Sequence, residues 1–444
     1  MTTGTRRNIF VLLGAAAVVL AVIAWRMLVL PAPLAFAGGT QVPLSAYRGA
    51  SPVGVPAELA GADDLTKGRY LATAADCVAC HTAKGGQPYA GGRAFRLPFG
   101  TLYAPNITPD RETGIGSWTD AQFLRAMHQG ISRDGSRLYP AFPYASYALM
   151  SDGDVRLIRR YLATVPAVKQ ANLPNSFTFP YNQRWLMGFW SAFFVPGEPF
   201  RPVAERSAAW NRGAYLVEAA GHCGECHTPR TLAQAMNTRE KFAGGVAEGW
   251  NAYNITSDVA DGIGGWSPQQ LASYMKQGYA QGHGVASGPM AEAVERSTSK
   301  LTDSDIAAMV TYLRSIPARP SSAAVAMAKP ASDPAVADAA LGTPGAQIFA
   351  SACASCHAWN GAGALVGEAR LAGNRAVNDR TAANAALMVL NGMGRPDQPR
   401  RYMPGFRASY SDTEIAAVVN YVTHRYGGTR SSLTAAKVGE LRKE

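Results

Sequence analysis

The sequence predicts an all-α protein, with three tandem helical domains behind an N-terminal transmembrane helix. Cys-x-x-Cys-His occurs three times, at Cys77–His81, Cys223–His227 and Cys353–His357, and takes every cysteine of the chain. Each copy lies between a short helix before it and a second helix well after it. The 444 residues suit about three domains of 100–150 residues.

Residues 1–35 come first. Arg6 and Arg7 precede an uncharged apolar run from Ile9 to Trp25, which resumes after Arg26 and reaches Leu30. Twenty-two helical residues span about 33 Å, enough for a hydrocarbon core of ~30 Å. Arg26 would snorkel, and Trp25 suits the interface. The paired arginines place the N-terminus in the cytoplasm, so the chain is expected in a bacterial inner membrane with its domains in the periplasm. A cleaved signal peptide is the competing reading, because Ala35-Phe36-Ala37 has the small-x-small pattern. The apolar run exceeds the roughly 7–15 residues of a signal core, which favours the anchor.

The three domains are placed at 60–165, 207–318 and 342–430. The helix before each motif carries a glycine and an aromatic: Gly68 and Tyr70, Gly213 and Tyr215, Gly345 and Phe349. The later helix starts on a capping-box pattern at Ser151, Thr302 or Ser411, and carries Tyr161, Tyr312 or Tyr421 near its end. Glycine on the first helix would let the two cross closely. Domains one and two are closer kin. Asn106-Ile-Thr108 and Asn254-Ile-Thr256 stand 148 residues apart, as do Trp118 and Trp266, against 146 for the cysteines of the first two motifs. A near-constant offset indicates duplication. Residues 319–341 are rich in Ala, Pro and Ser and read as an extended linker. Residues 166–206 hold Trp185, Phe189, Trp190, Phe193 and Phe194. This segment either packs as a short helix between domains one and two or presents a partner, membrane or quinone surface.

Cys-x-x-Cys-His is the attachment signature of c-type haem. Two thiolates add across the porphyrin vinyl groups and the histidine reaches the iron. A zinc ribbon would set paired motifs about 15–20 residues apart, far closer than these. Three covalently bound haem c groups are therefore expected, on Cys77 and Cys80, Cys223 and Cys226, and Cys353 and Cys356. His81, His227 and His357 are the axial ligands. A methionine opposite the histidine raises the reduction potential. Met290, in Gly288-Pro-Met290, and Met403, in Tyr402-Met-Pro-Gly405, stand just ahead of the last helix of their domains. Met393 is a rival to Met403. In domain one the corresponding loop carries Phe142, which cannot bind iron. Met127 and Met150 align with core positions of domain two, so the first haem is expected open or weakly ligated, with Met150 the alternative ligand. His128 is expected to face solvent.

Charged residues are 16% of the chain and apolar residues 47%, with a formal charge of +11. Low charge suits a chain that wraps porphyrins and touches a membrane, and haem propionates would answer part of the excess. No basic block or basic-aromatic interleaving appears, so no nucleic acid is expected as a partner.

The layout resembles the triheme cytochrome c subunits of membrane-bound dehydrogenases over about residues 60–430. The resemblance rests on Asp76-Cys-Val-Ala-Cys-His-Thr82, Gln87-Pro-Tyr-Ala-Gly-Gly92, Asn106-Ile-Thr-Pro-Asp110, Gly221-His-Cys-Gly-Glu-Cys-His-Thr-Pro-Arg230 and Tyr402-Met-Pro-Gly-Phe406. It implies three class I cytochrome c-like domains that take electrons from a periplasmic catalytic subunit and reduce ubiquinone. In the quinoprotein alcohol dehydrogenase branch, the loop of domain one usually carries Met where this chain has Phe142, and a long C-terminal tail follows domain three. The loop Leu138–Tyr144 with Phe179-Pro-Tyr-Asn182 looks more like the subunit beside molybdenum hydroxylases, namely aldehyde dehydrogenases with nicotinate and isoquinoline oxidoreductases as cousins. The resemblance thus implies a molybdenum-containing catalytic subunit and an iron–sulfur subunit as partners. A quinoprotein alcohol or sugar dehydrogenase is the alternative. No residue of this chain looks like a catalyst for aldehyde chemistry. A peroxidase or ligand sensor at an open first haem would need a distal acid–base group, which Phe142 does not supply.

Overall fold

The structure is a computed structural model that describes residues 29–322, 342–364, 366–394, 402–428 and 430–443. Most of the expected anchor (1–35) and of the linker (319–341) lies outside the described residues. Among those described, no helix is long and apolar enough to cross a membrane.

The predicted helix pairs are present in all three domains. They are Asp64–Ala74 with Asp152–Leu162, Ala208–Tyr215 with Asp303–Leu313, and Pro344–Ile348 with Asp412–Tyr426. Their crossings depend on glycine. A methyl group on Gly68 would sit 2.1 Å from the Leu157 carbonyl oxygen, on Gly213 2.0 Å from that of Ala308, and on Gly345 2.3 Å from that of Ala417. In each domain the exit-helix tyrosine is also close, with the Cβ of Tyr161, Tyr312 or Tyr421 at 2.9 Å. Gly213→Val should therefore force the helices of domain two apart, at about 3 kcal/mol or more. A thermal melt followed by far-ultraviolet circular dichroism would measure it.

Domains one and two share one hydrophobic core, and domain three has its own. The first two are joined by a reciprocal exchange. Tyr70 of domain one donates to Asp305 of domain two at 2.6 Å, and Tyr215 of domain two donates to Asp154 of domain one at 2.6 Å. Buried Arg212 forks onto Asp305 at 2.8 and 2.7 Å. The capping boxes are altered accordingly. Ser411 and Glu414 form a complete box. Ser151 and Thr302 cap their helices, but Asp154 and Asp305 turn away to catch the tyrosines of the neighbouring domain. Domain three has Phe349 at the tyrosine position and lacks this exchange.

Domain three docks on domain two through side chain to backbone bonds. Asn384 Oδ1 accepts from the Asn251 amide at 2.8 Å, and Asn384 Nδ2 donates to the Asn251 carbonyl at 2.9 Å. Arg375 stacks 5.0 Å from the centre of the Tyr253 ring.

Three features correct the sequence expectations. The fold is mostly helical rather than all-α, because short hairpins follow the first two haem motifs. One sheet joins Ala94–Leu97, Gly100–Tyr103 and Ser176–Phe177, and two others pair Gly245–Ala247 with Trp250–Ala252 and Tyr279–Ala280 with Gly284–Val285. Domain three extends beyond 430: helix Ala435–Leu441 packs Val438 and Leu441 into its core. Residues 36–55, assigned to no domain, brace domain two, where the carbonyls of Pro52 and Gly54 each accept from Arg212 at 2.9 Å. The aromatic segment does form a helix, Leu186–Phe194, and touches both neighbours. Trp190 meets the Tyr144 ring edge-on at 5.8 Å and donates to the Ala233 carbonyl at 2.8 Å. Yet none of the helix's residues is buried.

Candidate functional site

Each cysteine pair is held by a single helical turn, Cys77–Cys80, Cys223 leading into Gly224–His227, and Cys353 leading into Ala354–His357. Residues three apart on a helix share a face, so both sulfurs of a pair point the same way. The residue ahead of the first two turns takes a left-handed conformation, with φ of 50° at Asp76 and 38° at His222. It turns the chain sharply from the preceding helix into the motif.

The three histidines are oriented alike. Nδ1 of His81 donates to the Pro105 carbonyl at 2.7 Å, that of His227 to the Tyr253 carbonyl at 2.6 Å, and that of His357 to the Ala369 carbonyl at 2.6 Å. A carbonyl oxygen can only accept, so the proton sits on Nδ1 and Nε2 keeps its lone pair. Burial lowers the pKa of all three, to about 4 for His227, so each imidazole is neutral at pH 7. This is the form that binds a metal, with the partner on the other nitrogen fixing ring orientation.

The repeated Asn-Ile-Thr motif positions two of these acceptors. The Asn106 side chain accepts from the amide and hydroxyl of Thr108 at 2.9 and 2.7 Å, and Asn254 accepts from Thr256 at 2.8 and 2.7 Å. Each asparagine directly follows the carbonyl that holds the histidine. Two thiols on one face, a neutral imidazole with a free Nε2 and a backbone acceptor behind it fit a c-type haem at all three places.

The candidate sixth ligands are placed as follows. Met290 lies in the first turn of helix Gly288–Arg296, half-buried. That helix packs on the Cys77–Cys80 turn, so the candidate ligand of haem two sits on an element that touches haem one's motif. Met403 and Met393 face each other across a backbone bridge, with mutual amide–carbonyl bonds of 2.9 and 3.0 Å. Directly opposed residues project to the same side, which brings both thioethers together. Met150 is fully enclosed in the core shared by domains one and two, and Met127 is also buried. Phe142 packs 6.3 Å from the Tyr144 ring and 5.5 Å from the Tyr147 ring. His128 does not face solvent freely. It is half-buried, with Nδ1 3.7 Å from Asp152 and Nε2 enclosed without a partner.

Sequence reasoning missed the residues between the first two attachment turns. Tyr147 donates to the Ala75 carbonyl at 2.7 Å, two residues before Cys77, and its ring meets His222, the neighbour of Cys223, edge-on at 5.5 Å. Arg93 donates to the Ala79 carbonyl at 2.8 Å and to Glu292 at 2.5 Å, joining the first haem turn to the helix of Met290. These contacts span two domains and leave no local pattern in the sequence. The arrangement sets two haem attachment turns against one intervening layer of side chains, which suits electron transfer between them.

The cytochrome c family profile matches residues 65–166 and 343–425. The chain is 40% identical over 383 residues to a nicotinate dehydrogenase subunit of Pseudomonas putida, covering 85% of this chain but 32% of that protein, about a third of its length. It is 38% identical over 405 residues to the fructose dehydrogenase cytochrome subunit of Gluconobacter japonicus, covering 85% and 82%. It is 35% identical over 396 residues to the cytochrome c subunit of the quinone-dependent alcohol dehydrogenase of Gluconobacter oxydans, covering 85% and 82%. With haem-attachment geometry on three domains and such identity along most of both chains in the last two cases, this protein belongs to the cytochrome c family, among the cytochrome c subunits of dehydrogenases.

Proposed function

We propose that this chain is the triheme electron-transfer subunit of an inner-membrane aldehyde dehydrogenase complex, relaying electrons from a molybdenum and iron–sulfur partner to ubiquinone. The observation that carries the electron-transfer part is the thrice-repeated neutral histidine, pinned through Nδ1 to a backbone carbonyl behind a Cys-x-x-Cys turn. Haem c supplies one-electron chemistry at such a site. The cysteines would hold each porphyrin covalently, the histidines would bind iron through Nε2, and Met290 and Met403 would complete the second and third sites. Tyr147 and His222 hold the first two attachment turns together, and Arg93 ties the first turn to the helix of Met290. At the first site Phe142 stands in the loop where the methionine is expected. The Tyr147 hydroxyl beside it is committed to Ala75 and so does not serve as an acid–base group for peroxide chemistry there.

Two observations support the molybdenum branch: Phe142 in that loop, and the likeness to a nicotinate dehydrogenase subunit, a cousin in that branch. Arg6 and Arg7 ahead of the apolar run support an inner-membrane anchor with periplasmic haem domains. The fructose and alcohol dehydrogenase relatives favour a second reading, a sugar or alcohol dehydrogenase with a different catalytic cofactor. Purification of the intact complex through this chain, with identification of its subunits and metal analysis, separates the two. The expected result is three haems per chain with molybdenum and iron–sulfur in the partners. Pyrroloquinoline quinone or flavin in place of molybdenum would establish the second reading.

A further inference from the structure

A cavity of about 350 Å³ lies between the aromatic helix Leu186–Phe194, residues 30–34 and the second haem attachment turn. We infer that it receives the headgroup of a membrane quinone, a benzoquinone on an apolar tail, and that haem two is the haem that reduces it. This rests on the quinone-reducing reading above and adds a site to it.

The first argument is reach. Glu225, which lines the cavity, stands between Cys223 and Cys226, so the haem-two turn forms part of the cavity wall. Lining residue Met236 packs against that same turn, its sulfur 3.1 Å from where a Cβ on Gly224 would lie.

The second argument is chemistry. The walls are mostly apolar, from Leu34, Leu149, Trp190, Phe193 and Phe194. A cationic donor stands among them, Arg230, tied to Glu225 at 2.8 Å. Its Nη1 makes a bond of 3.4 Å to the Gln234 carbonyl, long enough to be exchanged for a better acceptor. An apolar pocket with a convergent donor suits a ring with carbonyl oxygens.

The third argument is access. Residues 29–33 are strapped to domain two by Arg239 on the Val29 carbonyl at 2.7 Å, Thr238 on that of Pro31 at 2.8 Å, and Lys241 on that of Pro33 at 2.9 Å. They continue directly from the apolar run Ile9–Leu30, so the cavity lies where the chain would leave the bilayer. Trp185 and Phe189 are each 63% exposed and Phe193 is 51% exposed on the adjoining helix. Such aromatics suit a membrane interface and a path for an apolar tail. In the reaction each quinone gains two electrons, which a haem held by Cys223, Cys226 and His227 would supply one at a time. It gains two protons from water, and both carbonyls become hydroxyls. The dehydrogenase substrate is the source of the electrons.

The test uses the intact complex, assayed with a short-tailed ubiquinone analogue and, separately, with ferricyanide. Trp190→Leu and the milder Phe193→Gln, at an exposed position, should raise the KM for quinone about five- to tenfold with the ferricyanide rate retained. An azido-quinone should label peptides within 186–194 or 225–236. An unchanged KM in both variants, or labelling confined to other segments, would overturn the site. So would loss of partner subunits from both variants, which would make this face a subunit contact. A wild-type complex that reduces ferricyanide but no quinone would instead overturn the underlying reading, and the site with it.

Discussion

Asp305→Ala is expected to destabilise the paired domains one and two by about 3–5 kcal/mol, because it strips a buried guanidinium of its counter-ion. Asp305 is 1% exposed and accepts from both Arg212 and Tyr70. With the carboxylate gone, Arg212 keeps only the Pro52 and Gly54 carbonyls, which carry no full charge. The reciprocal half has no such cation. Asp154 accepts from Tyr215 and from the Gly54 amide at 2.9 Å. Tyr215→Phe should thus cost less, about 1–3 kcal/mol, since it removes the donor to Asp154 and the acceptor of the Ser151 amide at 3.1 Å but strands no charged group without a counter-ion. Chemical denaturation of the haem-loaded protein, followed by circular dichroism, would rank the two. Equal losses would mean that Arg212 is solvated once Asp305 is removed, and that the two halves of the exchange are alike.

Features that repeat locally were legible in the sequence. Gly68, Gly213 and Gly345 could be picked out because the same crossing recurs three times with the same neighbours. Asn106 and Asn254 could be paired by offset, although their task of placing the histidine acceptors emerged only from the geometry. The Tyr70–Asp305 contact could not be read, since 235 residues separate its partners. The helical pattern at Ser151 and Thr302 predicted a capping box, and the tertiary contact overrode it by drawing each aspartate to a more deeply buried partner. Helix Ala435–Leu441 was missed because it follows the last motif and is short, so that the single i, i+3 pair of Val438 and Leu441 is too brief a pattern to identify a helix. His128 was misjudged for a similar reason. One face of its helix packs against the helices Tyr144–Tyr147 and Asp152–Leu162, which the local sequence does not place there. The aromatic segment was read as either packed or exposed. It is a helix in contact with both domains that nevertheless presents Trp185 and Phe189 outward.

Met290→Ala, and Met403→Ala combined with Met393→Leu, are each expected to abolish one methionine-to-iron charge-transfer band and to lower the potential of one haem by on the order of 100 mV, within the ~0.8 V that axial ligands span. Met150→Leu should leave the spectrum of haem one unchanged, because Met150 is wholly enclosed in the shared core and serves packing. Domain three needs a further control. Met393 lies directly opposite Met403 with its thioether on the same side, so it is placed to substitute when Met403 is truncated. Met393→Leu alone should keep the third band, and the double variant should lose it completely. A band that persists in Met403→Ala but vanishes in the double variant would show that either sulfur can serve the iron. A band lost in Met393→Leu alone would reverse the assignment. Domain two has no such understudy in its loop, so Met290→Ala should act in full. Because its helix packs on the first attachment turn, the change should also be visible in electron exchange between haems one and two. Separate potentiometric titration of the three haems would distinguish a shift confined to haem two from one shared with haem one. A shared shift is expected if Arg93 and Glu292 couple the two sites as their contacts indicate.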